Sequence, residues 1–298
     1  LTELQNAAYT IADVEKKESR RQPAPPFITS TLQQEASRRL GYSVKQTMMI
    51  AQQLYEGMEH GKEHAGLITY MRTDSFNLSQ EFLKAVPGVI EDLYGKKYVL
   101  PQARFFTKKA RGAQEAHEAI RPTDISKTPQ SLKEHLDPKQ YRLYKLIWER
   151  AIACQMPEAV FDVTTATVTA NDYELAAKGQ VLREQGFMKA YIEASDEDVA
   201  EEPKEATLPP LHQGEVCELI RINPEQKFTQ PPPRYTEASL IKKLESEGIG
   251  RPSTYAPTLS TITTRGYIEK GDDKKLRPTE IGMIVNDFLV KHFANIVD

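Results

Sequence analysis

The chain has 298 residues, of which 39% are hydrophobic and 27% charged, a composition typical of a globular protein with a sizeable core. It contains no run of about 18 apolar residues, so we expect no membrane span and no membrane partner. The net charge of −3 excludes a uniformly basic nucleic-acid binder, and two cysteines are too few for a four-cysteine zinc site. The length suggests two or three domains, and the absence of a signal peptide and of an initiator Met suggests an internal piece of a longer protein.

The small net charge hides a segregation of charge along the chain. Residues 26–153 carry 19 Lys and Arg against 14 Asp and Glu, a net +5, whereas residues 154–230 carry 6 against 15, a net −9. Residues 231–298 are nearly balanced, with 10 against 9. A basic part could therefore bind an anion that the acidic part avoids.

The first half of the chain is predicted to be mainly helical after one strand. Residues 8–15 indicate a strand, and the prolines within residues 22–26 indicate an extended linker. Apolar residues at helical spacing then predict four helical regions. These lie within residues 29–40, 44–55, 80–93 and 139–155.

The pattern changes to strands after residue 157. The alternating, β-branched stretch 161–169 predicts one strand. Further strands are predicted at residues 173–177, 180–183, 190–192 and 216–222, with an acidic loop at 195–210. Residues 1–25 and 154–230 would then pair in one β-rich domain, and residues 26–153 would be a helical domain inserted into it.

Residues 231–298 are predicted to form part of a winged-helix-like DNA-binding domain. Thr236 would cap a helix that ends at residues 248–250, and Pro252 suits the first position of the next helix. A charged turn at residues 271–275 separates two short strands. Helix, turn, helix and hairpin are typical of a winged helix-turn-helix. The predicted fold class is thus α+β and multidomain.

The stretch LITYMRTDS, residues 67–75, places Tyr70 and Arg72 two positions apart, on the same side if the chain is extended. A phenol with a pKa of about 10 is a poor nucleophile near neutral pH unless its oxyanion is stabilised. A neighbouring guanidinium could stabilise it and could neutralise a phosphate under attack. Packing in a strand is the structural alternative for Tyr70.

His117 and Arg121 lie four residues apart, and a helix would place both on one face, where each can donate to a phosphate oxygen. A structural role is the alternative for His117.

Upstream of His117, a segment combines cations with aromatic residues. This combination is typical of single-strand binding, although a solvated loop would have the same composition. These residues are Arg104, Phe105, Phe106, Lys108, Lys109 and Arg111.

The stretch GIGRPSTY, residues 248–255, combines flexible glycines with Arg251, Ser253 and Thr254 at a predicted helix N-terminus. Free N–H groups and the helix dipole favour an anion there. Capping would explain Ser253 or Thr254, but it does not explain Arg251. Arg265, near the next turn, is a further candidate for a phosphate contact.

Several of these segments together resemble the motifs of the type IA DNA topoisomerases. They are ITYMRTDS at residues 68–75, AHEAIRPT at 116–123 and GIGRPSTY at 248–255, with PPFITSTLQ at 25–33 and TRGY at 264–267. The resemblance spans nearly the whole chain. Bacterial topoisomerase I enzymes are the most similar branch, and topoisomerase III enzymes are the alternative branch.

The resemblance implies part of an ATP-independent enzyme that relaxes negatively supercoiled DNA by passing one strand through a transient break. Tyr70 would attack the DNA and join its 5′ phosphate, Arg72 would stabilise the phosphate and His117 would assist cleavage. The helical domain would lift away from the β-rich arch to open the gate. The expected DNA contacts are Arg121, Arg251, Ser253, Thr254, Arg265, Arg111 and Lys108.

The family's Mg²⁺ site lies in a toprim domain, and neither it nor the C-terminal zinc ribbons is found in these residues. The resemblance therefore implies Mg²⁺ as a cofactor of the full-length enzyme, held outside this chain, and no metal bound by the chain itself. It also implies single-stranded and negatively supercoiled DNA as partners, a monomer, and a cytoplasmic, nucleoid-associated location. We expect the isolated chain to be inactive in relaxation and to bind single-stranded DNA weakly and salt-sensitively.

A different class of protein remains open at this point. A non-catalytic single-stranded nucleic-acid-binding module, in which a winged helix acts with an accessory helical domain, would have the same charge distribution. A structural scaffold would leave the basic residues without an anionic partner. A covalent adduct between Tyr70 and DNA distinguishes the enzyme from both.

Overall fold

The computed structural model describes residues 1–60, 63–106, 117–194 and 208–295. The elements in these ranges follow in this order: α1 Thr2–Gln5, β1 Tyr9–Arg21, α2 Thr29–Glu35, α3 Val44–Glu56, β2 Met58–His60, β3 Glu63–Ala65, α4 Gln80–Tyr94, α5 Pro138–Ala153, β4 Ala159–Ala170, β5 Tyr173–Glu184, β6 Val216–Cys217, α6 Glu237–Glu247, α7 Tyr255–Thr264, β7 Ile268–Lys270, β8 Leu276–Pro278 and α8 Glu280–His292. A π-helical turn, Ala36–Leu40, continues α2. The protein is therefore of mixed α and β structure.

The described residues form two compact units. The first, which we call the sheet unit, contains described residues from 1–23, 157–189 and 208–232. The second, the helical unit, contains described residues from 24–156, 190–194 and 233–295. The sequence predicts a finer division into three domains, at residues 1–25 with 154–230, 26–153 and 231–298, and this division stays a prediction.

The sheet unit is built on an antiparallel sheet with the strand order β5-β4-β1-β6. In its central pair, Tyr9 lies opposite Ala170 and Arg21 lies opposite Ala159, with a bulge just after Ile11. Ile11 and Phe161 are both buried, and the Arg21 guanidinium covers the Phe161 ring at 4.5 Å. The β-branched residues of β4 therefore form the strand that their pattern predicts.

Four of the predicted strands differ from the structure. Residues 173–177 and 180–183 belong to one continuous strand, β5. Residues 190–192 are not a strand, because Tyr191 is buried in the helical unit, where its hydroxyl donates to Glu35 (2.5 Å). The strand predicted at 216–222 stops at Cys217, because only its first residues find a partner in β1.

Side-chain caps determine where the longer helices of the helical unit begin. The hydroxyls of Ser43 and Ser79 accept backbone N–H groups at the starts of α3 and α4, and the Asp137 carboxylate does so at α5. These helices surround a core whose members are fully or almost fully buried. They include Tyr144, Phe27, Leu32, Leu54, Ile120 and Leu143.

The C-terminal part of the helical unit contains α6, α7 and the β7–β8 hairpin, in the order that the sequence predicts, and then α8. Thr236 caps α6, which ends at Gly248 in the left-handed conformation (φ 73°). The prediction for Pro252 is wrong, because α7 begins only at Tyr255 and Pro252 lies in the turn before it.

An apolar cluster joins α6 and α7 to α3. It consists of Val44, Ile241, Tyr255 and Leu259, all of them buried. At its edge, the Val44 N–H donates to the Glu237 carboxylate (2.8 Å), and this bond satisfies a free N–H group at the start of α3. The cluster holds the turn before α7 next to the helices of residues 24–156, and this contact creates the cavity described next.

Candidate active site

Two threonines hold the loop that contains Tyr70. The backbone bends at residues 69, 71 and 72, so the extended conformation that would place Tyr70 and Arg72 on the same side is not formed there. On one side, the Thr69 hydroxyl donates to a carbonyl oxygen of residues 117–122 (2.6 Å). On the other side, the Thr29 hydroxyl donates to the carbonyl oxygen of Met71 (2.8 Å). These bonds fix the backbone on both sides of Tyr70.

Tyr70 differs from several other tyrosines of the helical unit by being accessible. Met71 is buried as the anchor of the loop, whereas Tyr70 is 38% exposed and Arg72 is also exposed. Burial raises the pKa of other phenols above the ordinary value, which makes them poorer nucleophiles. These are Tyr144, Tyr191 and Tyr255. Unlike these three phenols, Tyr70 can be reached by a substrate.

The rings of Tyr55 and His117 lie beside Tyr70. The His117 ring is 5.7 Å from the Tyr70 ring, measured between centroids, with an interplanar angle of 51°. The Tyr55 ring, at the end of α3, is 5.4 Å away in an edge-to-face arrangement of 64°. The phenol of Tyr70 therefore has an aromatic neighbour and an imidazole neighbour.

A cavity of about 340 Å³ opens beside Tyr70. It is lined by Tyr70, Arg72, Asp74, His117, Arg251, Pro252 and Ser253. Two guanidinium groups thus face the same space as the phenol, with a single carboxylate among the lining residues. Such a cavity suits an anion, because guanidinium groups bind phosphate oxygens with several N–H donors.

A second cavity, of about 210 Å³, continues the first. The two share Arg72, Pro252 and Ser253. The second is also lined by Lys45 and Met48 from α3 and by Ala256, Pro257 and Ser260 from α7. Together the cavities form a groove with cations and an apolar floor.

The turn before α7 is stabilised by bonds within itself. The Thr254 hydroxyl accepts the N–H of Arg251 (2.8 Å), and the N–H groups of Thr254 and Tyr255 donate to the Arg251 carbonyl oxygen. At Gly250, which has a φ of 82°, an added Cβ would lie 3.1 Å from the Tyr255 ring. Because these N–H groups are already bonded, an anion would meet mainly the side chains of Arg251 and Ser253 rather than the backbone.

Arg121 does not line the cavity, so the structure does not bring this predicted DNA contact together with Tyr70. Residues 117–122 are extended rather than helical, so His117 and Arg121 do not share a helix face. Arg121 is 8% exposed, and its guanidinium donates to Glu118 (2.7 Å), to Ser79 (2.9 Å) and to the Pro122 carbonyl oxygen (2.8 Å). It fixes the segment that contains His117.

Arg265 and Arg104 are not among the residues that line the cavity. Arg265 is exposed at the end of α7 opposite to the Arg251 turn, about 15 Å along a ten-residue helix. Arg104 donates to the carbonyl oxygens of Cys154 (2.9 Å) and Met156 (2.8 Å), which is a structural role. Lys108, Lys109 and Arg111 lie outside the described residues.

Several residues in or beside the groove escaped sequence reasoning. Tyr55 and Met48 lie on the apolar face of α3, a pattern that predicts core positions. Asp74 lies in a polar stretch that is typical of an ordinary turn. Lys45 lies in the first turn of α3, where a cation opposes the helix dipole. That unfavourable position is the one sequence signal that could have suggested a functional role.

The donor set of the cavity does not fit Mg²⁺. Mg²⁺ prefers several oxygen ligands, whereas Asp74 is the one carboxylate among the residues that line this cavity and two arginines accompany it. Across the described residues, no group of three or more His, Cys, Asp or Glu side chains could hold a metal ion. In the same part of the chain, no helix has the length and apolarity needed to cross a membrane.

A reachable phenol beside arginine and histidine defines a site suited to phosphoryl transfer. The comparisons with known proteins are more specific. A family model described as DNA topoisomerase matches residues 1–298. DNA topoisomerase 1 of Rickettsia felis is 49% identical over 301 residues, which is 100% of this chain and 38% of that protein. The corresponding protein of Xylella fastidiosa (strain 9a5c) is 48% identical over 291 residues, covering 97% of this chain and 36% of that protein.

A solved structure agrees with these matches. Full-length topoisomerase I from Thermotoga maritima is similar with a TM-score of 0.83 and 36% identity, covering 98% of this chain and 47% of that one. The chain thus belongs to the type IA DNA topoisomerases, a family of isomerases, and is similar to bacterial topoisomerase I enzymes. It spans less than two fifths of the length of the curated relatives.

Proposed function

We propose that this chain supplies the nucleophile with which a type IA topoisomerase cleaves and rejoins one DNA strand. The observation that carries the proposal is the cavity that brings Tyr70, Arg72, His117 and Arg251 together. These residues come from three separate segments of the chain, and they meet at a phenol that solvent can reach.

The cleavage step needs a phosphorus atom of the DNA backbone at the phenol. The Tyr70 oxygen forms a bond to phosphorus while the bond from phosphorus to the 3′ oxygen of deoxyribose breaks. The proton of the phenol leaves and the 3′ oxygen ends as a hydroxyl, so one phosphodiester replaces another. Rejoining is the reverse step and needs no ATP, because the tyrosyl ester conserves the bond.

The cations of the cavity have distinct tasks in this step. Arg72 and Arg251 face the space that the phosphate would occupy, and their charges stabilise the additional negative charge of the transition state. His117 lies beside the Tyr70 ring and lines the same cavity, so its imidazole can donate to a phosphate oxygen. When Mg²⁺ is bound elsewhere in the full-length enzyme, it supplies further positive charge for the DNA.

The groove continues past Arg72, so it offers a path for the strand next to the cleaved phosphate. Lys45 provides a cation for a backbone phosphate, and Met48, Ala256 and Pro257 provide an apolar surface for a sugar or base. Single-stranded DNA fits such a surface because its bases are not held in a duplex.

Labelled oligonucleotides test the proposal in the full-length enzyme with Mg²⁺. A single strand labelled at its 3′ end should leave its label on the protein, whereas a 5′ label should appear in a shorter free product. Tyr70→Phe should abolish both products while the affinity for the strand changes less than about threefold. The matched control is Tyr173→Phe, at an exposed tyrosine of the sheet unit.

Two outcomes would contradict the proposal. If Tyr70→Phe still forms the adduct, the nucleophile is another residue. If the wild-type enzyme binds the strand but never forms an adduct, a non-catalytic binding module is the better description.

The finer part of the proposal concerns supercoiled DNA. Relaxation of negative supercoils by strand passage needs the full-length enzyme, so the isolated chain should leave a supercoiled plasmid unchanged in the presence of Mg²⁺. It should bind single-stranded DNA weakly, because few cations contact the phosphates, and the affinity should fall as salt rises, because those contacts release counterions. Relaxation by the isolated chain, or binding that is insensitive to salt, would be evidence against this part.

A further inference from the structure

Tyr55 makes an edge-to-face contact with the ring of Tyr70. Its ring meets the Tyr70 ring edge to face, with centroids 5.4 Å apart and planes at 64°. This is the geometry that aromatic quadrupoles favour. His117 lies on the same ring at 5.7 Å, so two neighbours restrict how the Tyr70 side chain can rotate.

The backbone of Tyr55 is itself held against the segment that leads to Tyr70. The N–H of Leu67 donates to the carbonyl oxygen of Leu54 (2.8 Å). At Gly66, an added Cβ would overlap the carbonyl oxygen of Tyr55, so the absence of a side chain there permits the close approach. The end of α3 is thus fixed relative to the Tyr70 loop.

The exposure of Tyr55 argues against a role in the core. Tyr55 is 39% exposed, although its place in the pattern of α3 predicts a core position. By contrast, Leu54, one residue earlier, is fully buried. A large ring that is left partly in water and in contact with the nucleophile contributes more to orientation than to stability.

We infer that Tyr55 is a positioning residue for Tyr70 in the proposed cleavage reaction. Its ring limits the rotamers of the Tyr70 side chain, so the phenol oxygen spends more time directed at the phosphate. Correct orientation accelerates a reaction without strengthening substrate binding. The inference rests on the proposed function, and it assigns the effect to the ring of Tyr55 rather than to its hydroxyl.

Substitutions at Tyr55 in the full-length enzyme test the inference. The rate of adduct formation is measured in single turnovers at saturating single-stranded DNA, and the Kd is measured separately by fluorescence anisotropy. Tyr55→Phe keeps the ring and should retain the wild-type rate. Tyr55→Leu loses the ring and should lower the rate three- to tenfold with an unchanged Kd. Tyr173→Leu, a matched change at a 45% exposed tyrosine, should leave the rate unchanged.

Each other outcome has a definite meaning. A wild-type rate for Tyr55→Leu, an equal loss for Tyr55→Phe, or a change in Kd alone would each overturn the inference. If Tyr55→Leu lowers the melting temperature, Tyr55→Met, which preserves length without a ring, replaces it with the same expectation. Failure of the proposed function is distinguishable, because the wild-type enzyme would then form no adduct.

Discussion

Truncation of Ile241 tests how the C-terminal part of the helical unit is held in place. Ile241 is completely buried in the cluster with Val44, Tyr255 and Leu259 that joins α6 and α7 to α3. Ile241→Ala removes three carbon atoms, or about 2.4 kcal/mol at about 0.8 kcal/mol for each buried carbon. The cavity left behind adds a further cost, so we expect a loss of about 3 kcal/mol in the free energy of unfolding.

Urea unfolding measures this loss. Trp148, the one tryptophan of the sequence, is buried on α5 in the same unit and provides the fluorescence signal. With a dependence on urea of about 3 kcal/mol per M, the midpoint should fall by about 1 M. The matched control is Ile284→Ala on α8, where the side chain is 61% exposed and the change should be below about 0.5 kcal/mol.

The same substitution should affect the groove from a distance. Arg251 and Ser253 reach the cavity because α6 and α7 pack on α3, so a looser cluster should weaken the binding of single-stranded DNA. An Ile241→Ala protein with the midpoint and the DNA affinity of the wild type would refute the assignment of this cluster as the contact that assembles the site.

Three further predictions concern residues whose burial decides their behaviour. Arg121→Lys should lower the melting temperature by several degrees without changing the affinity for DNA, because lysine cannot replace the hydrogen bonds of the buried guanidinium. A weaker affinity at an unchanged melting temperature would instead support a direct DNA contact. Burial raises the pKa of Glu245, so its ionised form destabilises the fold. Glu245→Gln should therefore stabilise the protein at pH 7, by an amount that shrinks as the pH falls through that pKa; equal free energies of unfolding for both proteins at every pH, measured by denaturation, would contradict this. Burial raises the pKa of the Cys154 thiol to about 12, so a thiol reagent at pH 8 should modify the half-buried Cys217 first. Detection of modified Cys154 in the folded protein by mass spectrometry would contradict this prediction.

The helices and the central strands could be predicted because their signals are local. Ser43, Ser79 and Asp137 cap helices from positions directly before the apolar pattern, and β4 is rich in β-branched residues. Tyr191 shows where local signals fail. Its neighbours have strand propensity, but burial beside Glu35 in the helical unit outweighs that propensity.

The residues of the candidate site were predictable by chemical type but not by accessibility. Tyr70, Arg72 and Arg251 have side chains suited to phosphate chemistry, and the structure brings all three to one cavity. Arg121 has the same chemistry, yet its guanidinium is used by Glu118 within the fold. Nothing in the spacing of the sequence distinguishes an arginine that faces solvent from one that is buried.

The contacts around Tyr70 show why the rest of the site needed the structure. Tyr55 has the pattern of a core residue, and its approach to Tyr70 depends on Gly66, which leaves room for the Tyr55 backbone. Thr29, far earlier in the chain, fixes the other side of the loop through Met71. A nucleophile on a loop is oriented by residues that are distant in sequence and chemically inert. The evidence for their role is therefore geometric, and substitution of an inert neighbour such as Tyr55 is more informative about orientation than removal of the phenol itself.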